Sequence, residues 1–510
     1  MLGCGPLGRA ILEENVEKVQ MMLQRFPSLI QEQNLLGQTP FHLAAFHPDI
    51  LDILFNKVDD RLLDVVDHGR HWHGGGHAAD YAIGLSGATC SNGRVWEACS
   101  GCPCVEPFNS FLAHGFLFSF RSFLVYHFTS ASHACRLAVI RSTKAASERL
   151  KNFARLVLPS ADLKLCQLDT PHVLDYWAAR VVDSLETRGI ALPAGLKTEL
   201  EMLDILSCVS VYHWLADWNR HDPYHETHLV AEFLLQQGFL DVDLADSHGH
   251  TPLSTLILYP SWSESDPSYG LWLIRHGADI SRPWPLPYPP DINDRTQYNT
   301  NLTIAHMILQ WHFESVEYLE SEGLQLVSLV AQIDVYDECR CGCLDKGCHT
   351  LQGLFKTLWK TRESQELRRE AISAREMAAM LFNDCQGLRL QRWEHMCISA
   401  LRLFTFEMLE LRHTCCDMPY VLRYSPEEIA EIQDEDRATL DFLEELMEEL
   451  TEAYRRRGFE FADFLVSYWA PRVDEVLTGL DAVRLTEAER HGAEHLGVRW
   501  SSNTVCRKGK

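Results

Sequence analysis

One nine-residue stretch constrains this chain more than any other: Gly37-Gln38-Thr39-Pro40-Phe41-His42-Leu43-Ala44-Ala45. Gly37 suits a tight turn that needs positive φ. Thr39 is a helix cap, and Pro40 fits the first helical position, where its missing N–H costs nothing. Phe41, Leu43, Ala44 and Ala45 then make a short apolar helix with small residues for close stacking. A second helix follows over 48–55, with Ile50, Leu51, Ile53 and Leu54 as its apolar face. The start recurs as Gly249-His250-Thr251-Pro252-Leu253. Before it, 229–237 reads as a helix ending at Gly238; after it, Leu271 to Ile274 reads as another, ending at Gly277-Ala278-Asp279. A helix pair this short cannot bury its apolar face alone, so the chain must stack such pairs.

The pattern resembles the ankyrin repeat, whose units of ~33 residues open on Gly-x-Thr-Pro-Leu-His-x-Ala. Weaker copies surround the two clear ones. Residues 7–26 carry a helical stripe of Ile11, Leu12, Val16, Val19, Met22 and Leu23. Gly76-His77-Ala78-Ala79-Asp80 opens a unit without the Thr-Pro, Ser210 to Ala216 keeps His213 and Ala216, and Thr303 to His306 keeps the Thr with a shifted His. The resemblance implies an all-α fold: an ankyrin-repeat solenoid of helix pairs and short hairpins, interrupted by insertions, followed by an α-helical C-terminal domain. The expected organisation is ankyrin repeats over 1–130 with an insertion at 86–104, a helical or degenerate-repeat segment over 131–205, and a second repeat block over 206–330 with a further insertion at 259–267. A Cys-rich segment at 331–360 and a helical domain at 361–510 complete it. Helices are expected over 144–158 and 173–188 within the second of these.

Charge narrows the partners. The 510 residues carry a formal net charge of -25, which repels phosphate backbones, so nucleic acid is not expected. The N-terminus has neither a charged segment leading into an apolar one nor Gly at position 2, so no secretory or myristoylation signal is read there. The most apolar stretch, 108–128, is broken by Asn109, His114, Arg121 and His127, and a spanning helix needs ~20 mostly apolar residues. It reads as a buried or irregular segment, not a membrane span. The expected setting is intracellular, in cytoplasm, nucleus or both.

Ser425-Pro426-Glu427-Glu428 is a capping box with Pro at the first helical position, and Thr486 to Glu489 is a second box. Downstream of the first, Ile429, Ile432, Leu443, Leu446 and Leu450 form a heptad-like stripe that Asp436 and Thr439 interrupt. It suits an amphipathic helix docked on its neighbours, or a short coiled-coil surface. Residues 382–411 and 459–477 also read as helical, the latter with a break at Pro471.

The 17 cysteines include two dense groups. Cys339, Cys341, Cys343 and Cys348 offer four thiolates, the set that holds zinc tetrahedrally. An extended strand would place Cys339 and Cys343 ~13 Å apart, so a single ion requires a turn, which Gly342 and Gly347 permit. Cys90, Cys99, Cys102 and Cys104 form the second set, with knuckle-like spacing between Cys99 and Cys102 and with His68, His71, His73 and His77 nearby in sequence. For the first set zinc stands beside reduced, buried thiols and a disulfide or redox pair; for the second it stands beside a redox role and a plain insertion, ordered or floppy, between two helices. The Cys-x-Cys-x-Cys-x4-Cys segment and Thr414-Cys415-Cys416 are similar to pieces of poorly characterised ankyrin-repeat proteins of filamentous fungi, a resemblance that carries no activity.

No constellation argues for catalysis. His225 and His228 are three apart, not the four that a helical metalloprotease pair needs, and Pro223 separates His221 from His225. The glycines of 3–8 have no strand before them to feed a dinucleotide loop. The expected function is non-catalytic: a protein–protein interaction scaffold with Trp72, Trp262 and Trp284 as candidate partner anchors. The alternative is a zinc-binding or thiol-regulated interaction protein using either Cys group.

Overall fold

The computed structural model describes residues 3–311 apart from internal stretches, of which 69–75, 91–98, 259–266 and 286–301 are the longest. It also describes short pieces between 325 and 350, residues 390–414, and residues 424–483 apart from 459. The chain divides into two units, Met1–Pro290 and Asp291–Lys510. The division falls inside the block drawn over 206–330. Among the described residues both units are helical, with an isolated antiparallel bridge between Val66 and His77.

In the first unit, α1 (Pro6–Leu12), α2 (Val16–Arg25), α3 (Pro40–Leu43), α4 (Pro48–Phe55), α5 (Ala78–Leu85) and α6 (Glu106–Ala113) come first. Next, α7 (Phe120–Ser122) runs into a π-helical turn, Phe123–His127, and then come α8 (His133–Val157), α9 (Ser160–Leu165), α10 (Tyr176–Thr187) and α11 (Ala194–Met202). Last are α12 (Val211–His221), α13 (Thr227–Gln236), α14 (Pro252–Ile257) and α15 (Pro267–Arg275). Their contacts order them in rows. One row runs α1, α3, α5, the π turn, α12, α14, each member packed on the next. A second runs α2, α4, α6, and further along α13 packs on α15. Small residues make the first row close: Ala44, Ala45, Ala78, Ala79 and Ala82 are all buried.

The Phe-rich segment packs on both the early and the late helices of this unit. Phe108, Phe111, Phe116, Phe118, Phe120, Phe123 and Phe128 are all buried. The ring of Phe116 lies 4.7 Å from Phe41, Phe120 stacks 5.7 Å from Phe239, and Phe128 lies 5.5 Å from Phe233. Each such ring contributes roughly 1.5–3 kcal/mol by burial. Arg136, fully buried at the start of α8, donates from Nε to the Phe128 carbonyl at 2.7 Å and lies over the Phe128 ring. No helix among the described residues is long and apolar enough to cross a membrane.

Helices α8 to α11 lie in sequence between the π turn and α12, and α8 and α10 cover the two helices expected over 144–158 and 173–188. They are tied back to the rows. Ser147 Oγ on α8 accepts from Leu174 N at 2.7 Å, and Val173 N donates to the Gly238 carbonyl after α13 at 2.9 Å.

The second unit contains α16 (Ile304–Trp311), α17 (Leu390–Met408), α18 (Pro426–Glu435), α19 (Arg437–Arg457), α20 (Phe461–Phe464), a π-helical turn Leu465–Trp469 and α21 (Ala470–Val483). The Ser425 box forms: Ser425 Oγ accepts from Glu428 N at 3.2 Å and Ser425 N donates to Glu428 Oε2 at 2.6 Å. The heptad-like stripe is two helices rather than one, because Asp436 ends α18 and begins α19. Leu443, Leu446, Met447, Leu450 and Tyr454 on α19 are buried, and α19 packs on α17. The chain passes Pro471 without a break. The π turn just before it widens the helix where proline cannot donate. Trp469 at its end donates from Nε1 to Thr405 Oγ1 on α17 at 2.9 Å. The Thr486 box and residues 382–389 lie outside the described residues.

Candidate functional site

The helix starts are built alike, from a turn inward. At the first clear start, Asn34 Oδ1 accepts from Leu36 N at 2.9 Å and Gln38 N at 3.0 Å, and Gly37 takes φ +76°. At the second, Asp246 Oδ1 accepts from His248 N at 2.8 Å and His250 N at 2.9 Å, and Gly249 takes φ +86°. Both are side-chain-closed turns that require a left-handed residue, which glycine supplies without strain. Leu35 stands 80% exposed at the tip of the first. The corresponding turn before α5 is longer. Gly76 N donates to Asp67 Oδ1 at 2.8 Å with the partners nine residues apart, against four for Asn34 and Gln38.

Each turn hands over to a capping box, and at three of these helix starts the third helical residue also bonds to backbone beyond its own box. His42 Nδ1 accepts from Thr39 N at 3.1 Å and lies 2.8 Å from Thr39 Oγ1. Its Nε2 then reaches the Gly76 carbonyl at 3.0 Å. A carbonyl only accepts, so Nε2 carries the proton and the ring is neutral. His213 repeats this, with Ser210 N donating to Nδ1 at 3.1 Å and Nε2 donating to the His250 carbonyl at 2.8 Å. Burial lowers both histidines, His213 to about 4, the carbonyl bonds offsetting only part of the cost of burying a charge. In α5, His77 takes the cap and buried Asp80 the third position. Asp80 Oδ2 accepts from His77 N at 2.9 Å and Oδ1 from Ser119 N, the cap of α7, at 3.1 Å. A carboxylate replaces an imidazole, so it takes a backbone N–H rather than a carbonyl. At α14, Ser254 closes the box with Thr251.

One sequence expectation is corrected here. His306 is not shifted: its Nδ1 accepts from Thr303 N at 3.3 Å and lies 2.8 Å from Thr303 Oγ1, the same arrangement as Thr39 and His42. Counted from the threonine, rather than from the absent proline, the spacing is unchanged. The tryptophan anchors fare differently. Trp284 is only 4% exposed; Trp72 and Trp262 lie outside the described residues.

Of the first cysteine group, the Sγ atoms of Cys90, Cys102 and Cys104 all lie within 4.8 Å of one another. Cys102 and Cys90 sulfurs are 3.8 Å apart, and Cys99 and Cys104 sulfurs are 3.8 Å apart. A disulfide needs ~2.05 Å, so these are free thiols, whereas a tetrahedral zinc with Zn–S of ~2.3 Å spaces its sulfurs ~3.8 Å apart. Cys104 is buried, its Sγ 3.1 Å from Ser132 Oγ, and burial pushes its thiol up. Ser132 caps α8 and donates its N–H to Ser86 Oγ at 2.9 Å, so the group sits where the end of α5, the approach to α6 and the start of α8 converge. The group could hold a metal ion. Two nearby histidines do other work: His77 caps α5, and His68 packs on Gly37. His71 and His73 lie outside the described residues.

In the second group, Cys341 and Cys343 are buried, while Cys339 and Cys348 lie outside the described residues. The ligand-type atom that joins Cys341 and Cys343 within 4.8 Å is His413, which sequence spacing did not single out. An open cleft of about 370 Å³ lies between α17 and α19, lined by Tyr336, His395, Arg402, Glu444 and Arg455 among others. Among the groups that line it, Arg402 pairs with Glu444 and Arg455 with Glu394 at 2.6 Å, while Tyr336 Oη and His395 Nε2 share a hydrogen bond of 2.8 Å. Compared with known proteins, the chain matches no family model, and no curated protein matches it.

Proposed function

We propose that the chain is an ankyrin-type repeat protein whose first unit is an interrupted solenoid that binds another protein without catalysis. The observation that carries this reading is the pair of buried histidines, His42 and His213, each closing its own helix start and reaching the backbone of the next unit's turn. Such a link makes each unit's stability depend on its neighbour, the property of stacked repeats. It also fixes the turns in series, with side chains such as Leu35 exposed at their tips. A row of rigidly held turns and inner helices is a surface for recognising a protein. The test is co-isolation of proteins with the full-length chain carrying Leu35→Glu, against Leu156→Glu, where α8 exposes a leucine by 84%. A partner retained by wild type and Leu156→Glu and lost by Leu35→Glu supports the reading. Binding indifferent to Leu35 and reduced by Leu156→Glu contradicts it.

A second reading adds to the first and rests on the sulfur spacing at Cys90, Cys99, Cys102 and Cys104. We infer that this group holds a structural zinc that staples the approach to α6 onto the start of α8. The Cys90–Cys102 and Cys99–Cys104 pairs have the separation that tetrahedral thiolate coordination sets, Cys90, Cys102 and Cys104 lie within 4.8 Å of one another, and the location closes a long insertion between two stacked helices. Bound zinc in the purified chain, reduced by one equivalent in Cys102→Ser, supports it; equal zinc in the two chains contradicts it.

A further inference from the structure

A second cluster carries more of the architecture of a metal site than thiols alone. The tripeptide Cys341-Gly342-Cys343 lies against α17 and α19, with both sulfurs buried. Arg402 on α17 donates from Nε and Nη2 to the Gly342 carbonyl at 3.1 and 3.0 Å, and its guanidinium also pairs with Glu444 on α19. A Cβ on Gly342 would come within 2.7 Å of Leu440 Cδ2, so a larger residue there would have to push the Leu440 side chain aside.

Across from the tripeptide, just past the end of α17, His413 places Nδ1 3.8 Å from Cys341 Sγ. Its Nε2 is 2.7 Å from Glu407 Oε1. An ionised carboxylate only accepts, so Nε2 carries the proton and the lone pair of Nδ1 faces the sulfurs. A histidine held from behind by a carboxylate, with its other nitrogen beside a thiol, is the arrangement by which proteins orient metal-ligating imidazoles. Thr414 N donates to Cys341 Sγ at 3.4 Å. With Zn–S of ~2.3 Å and Zn–N of ~2.0 Å, a tetrahedral ion sets sulfur and nitrogen ~3.6 Å apart, close to the separation found.

We propose that Cys341, Cys343 and His413 ligate a zinc ion, with Glu407 as the positioning residue behind His413. Two thiolates and an imidazole suit zinc over the hard cations. On binding, both thiols release their protons to solvent and no electron moves. The ion would close the long chain segment between Cys343 and His413, tying the Cys-rich tripeptide to the C-terminal helices. This site lies in the second unit, so its failure leaves the solenoid reading of the first unit untouched.

The test uses the full-length chain, purified without a tag under reductant, in a Cys102→Ser background that removes the other cysteine group. Elemental analysis should find about one zinc per chain, lost on adding Cys343→Ser. Glu407→Gln should keep the zinc but weaken it ~10–100-fold in competition with a chromogenic chelator. Replacing zinc with Co²⁺ should give thiolate-to-cobalt absorption that changes on His413→Gln, with circular dichroism reporting that each chain is folded. If Cys102→Ser does not fold, wild type and His413→Gln are compared directly, with one zinc equivalent expected to be lost. A folded chain without zinc overturns the proposal. So does zinc that survives both Cys343→Ser and His413→Gln, or a Cys341–Cys343 disulfide under reductant.

Discussion

Acidification should loosen the first unit through His213. Its pKa is 6.5 when free and about 4 in the fold. Between those values the unfolded chain binds the proton and the folded one does not, so stability is fully present above 6.5 and falls as pH drops toward 4. Going from pH 7 to 5 should remove roughly 2 kcal/mol through this one group. His42 and His250 act in the same direction, since burial lowers both. Replacing His213 with Gln removes its share of the pH dependence. The same change weakens the pH 7 fold by roughly 1–3 kcal/mol, because the His250 carbonyl loses its donor. Hydrogen exchange of peptides from α12 and α14, corrected for intrinsic rates, reports the opening free energy of this unit alone. The wild type should lose roughly 2 kcal/mol more than His213→Gln between pH 7 and 5. Equal losses in the two chains would refute the buried, neutral, carbonyl-bonded histidine.

Three further substitutions have definite expectations. Gly37→Ala should cost more than about 1 kcal/mol and more than Gly249→Ala, because both positions need positive φ but only at Gly37 does a Cβ also meet a ring, His68, at 2.7 Å; equal melting shifts would contradict this. Asp241 is half-buried near Asp175, and desolvation and that neighbour push its carboxyl well up, so it folds protonated and its stabilising effect fades as pH rises through the folded value. Asp241→Asn should therefore raise stability at pH 8, and a lower denaturant midpoint would count against it. Arg402→Met should cost roughly 1–3 kcal/mol, since it strips the Gly342 carbonyl of both N–H donors. Glu444→Gln, at a 58% exposed side chain, should cost well under about 1 kcal/mol, so a larger loss from Glu444 would reverse the assignment.

What the sequence disclosed was local chemistry. Thr39-Pro40 and Thr251-Pro252 announce helix starts because cap, proline and turn glycine all act within a few residues. Ser210 and Thr303 lack the proline, and the box at Thr303 becomes legible only when His306 is counted from the cap. The Phe-rich segment over 108–128 carries no such grammar. Its place is set by ring contacts to Phe41, Phe233 and Phe239, distant in sequence, and a π turn disrupts its periodicity. The Cys90–Cys104 group was visible because its members are near neighbours in the chain. His413 was not: it meets Cys341 across 72 residues, and the carboxylate that orients it, Glu407, is an ordinary helical glutamate until the fold brings the tripeptide opposite.

The central claim is that the series of turns in the first unit is a protein-binding surface. Site-specific photo-crosslinking tests it most directly, with benzoylphenylalanine placed at Leu35 on the first turn, at His248 on the second, and at Leu156 on α8, in the full-length chain. All three positions are exposed. The account predicts a crosslink to the same protein from Leu35 and His248 and none from Leu156. Capture from Leu156 with none from either turn would contradict it.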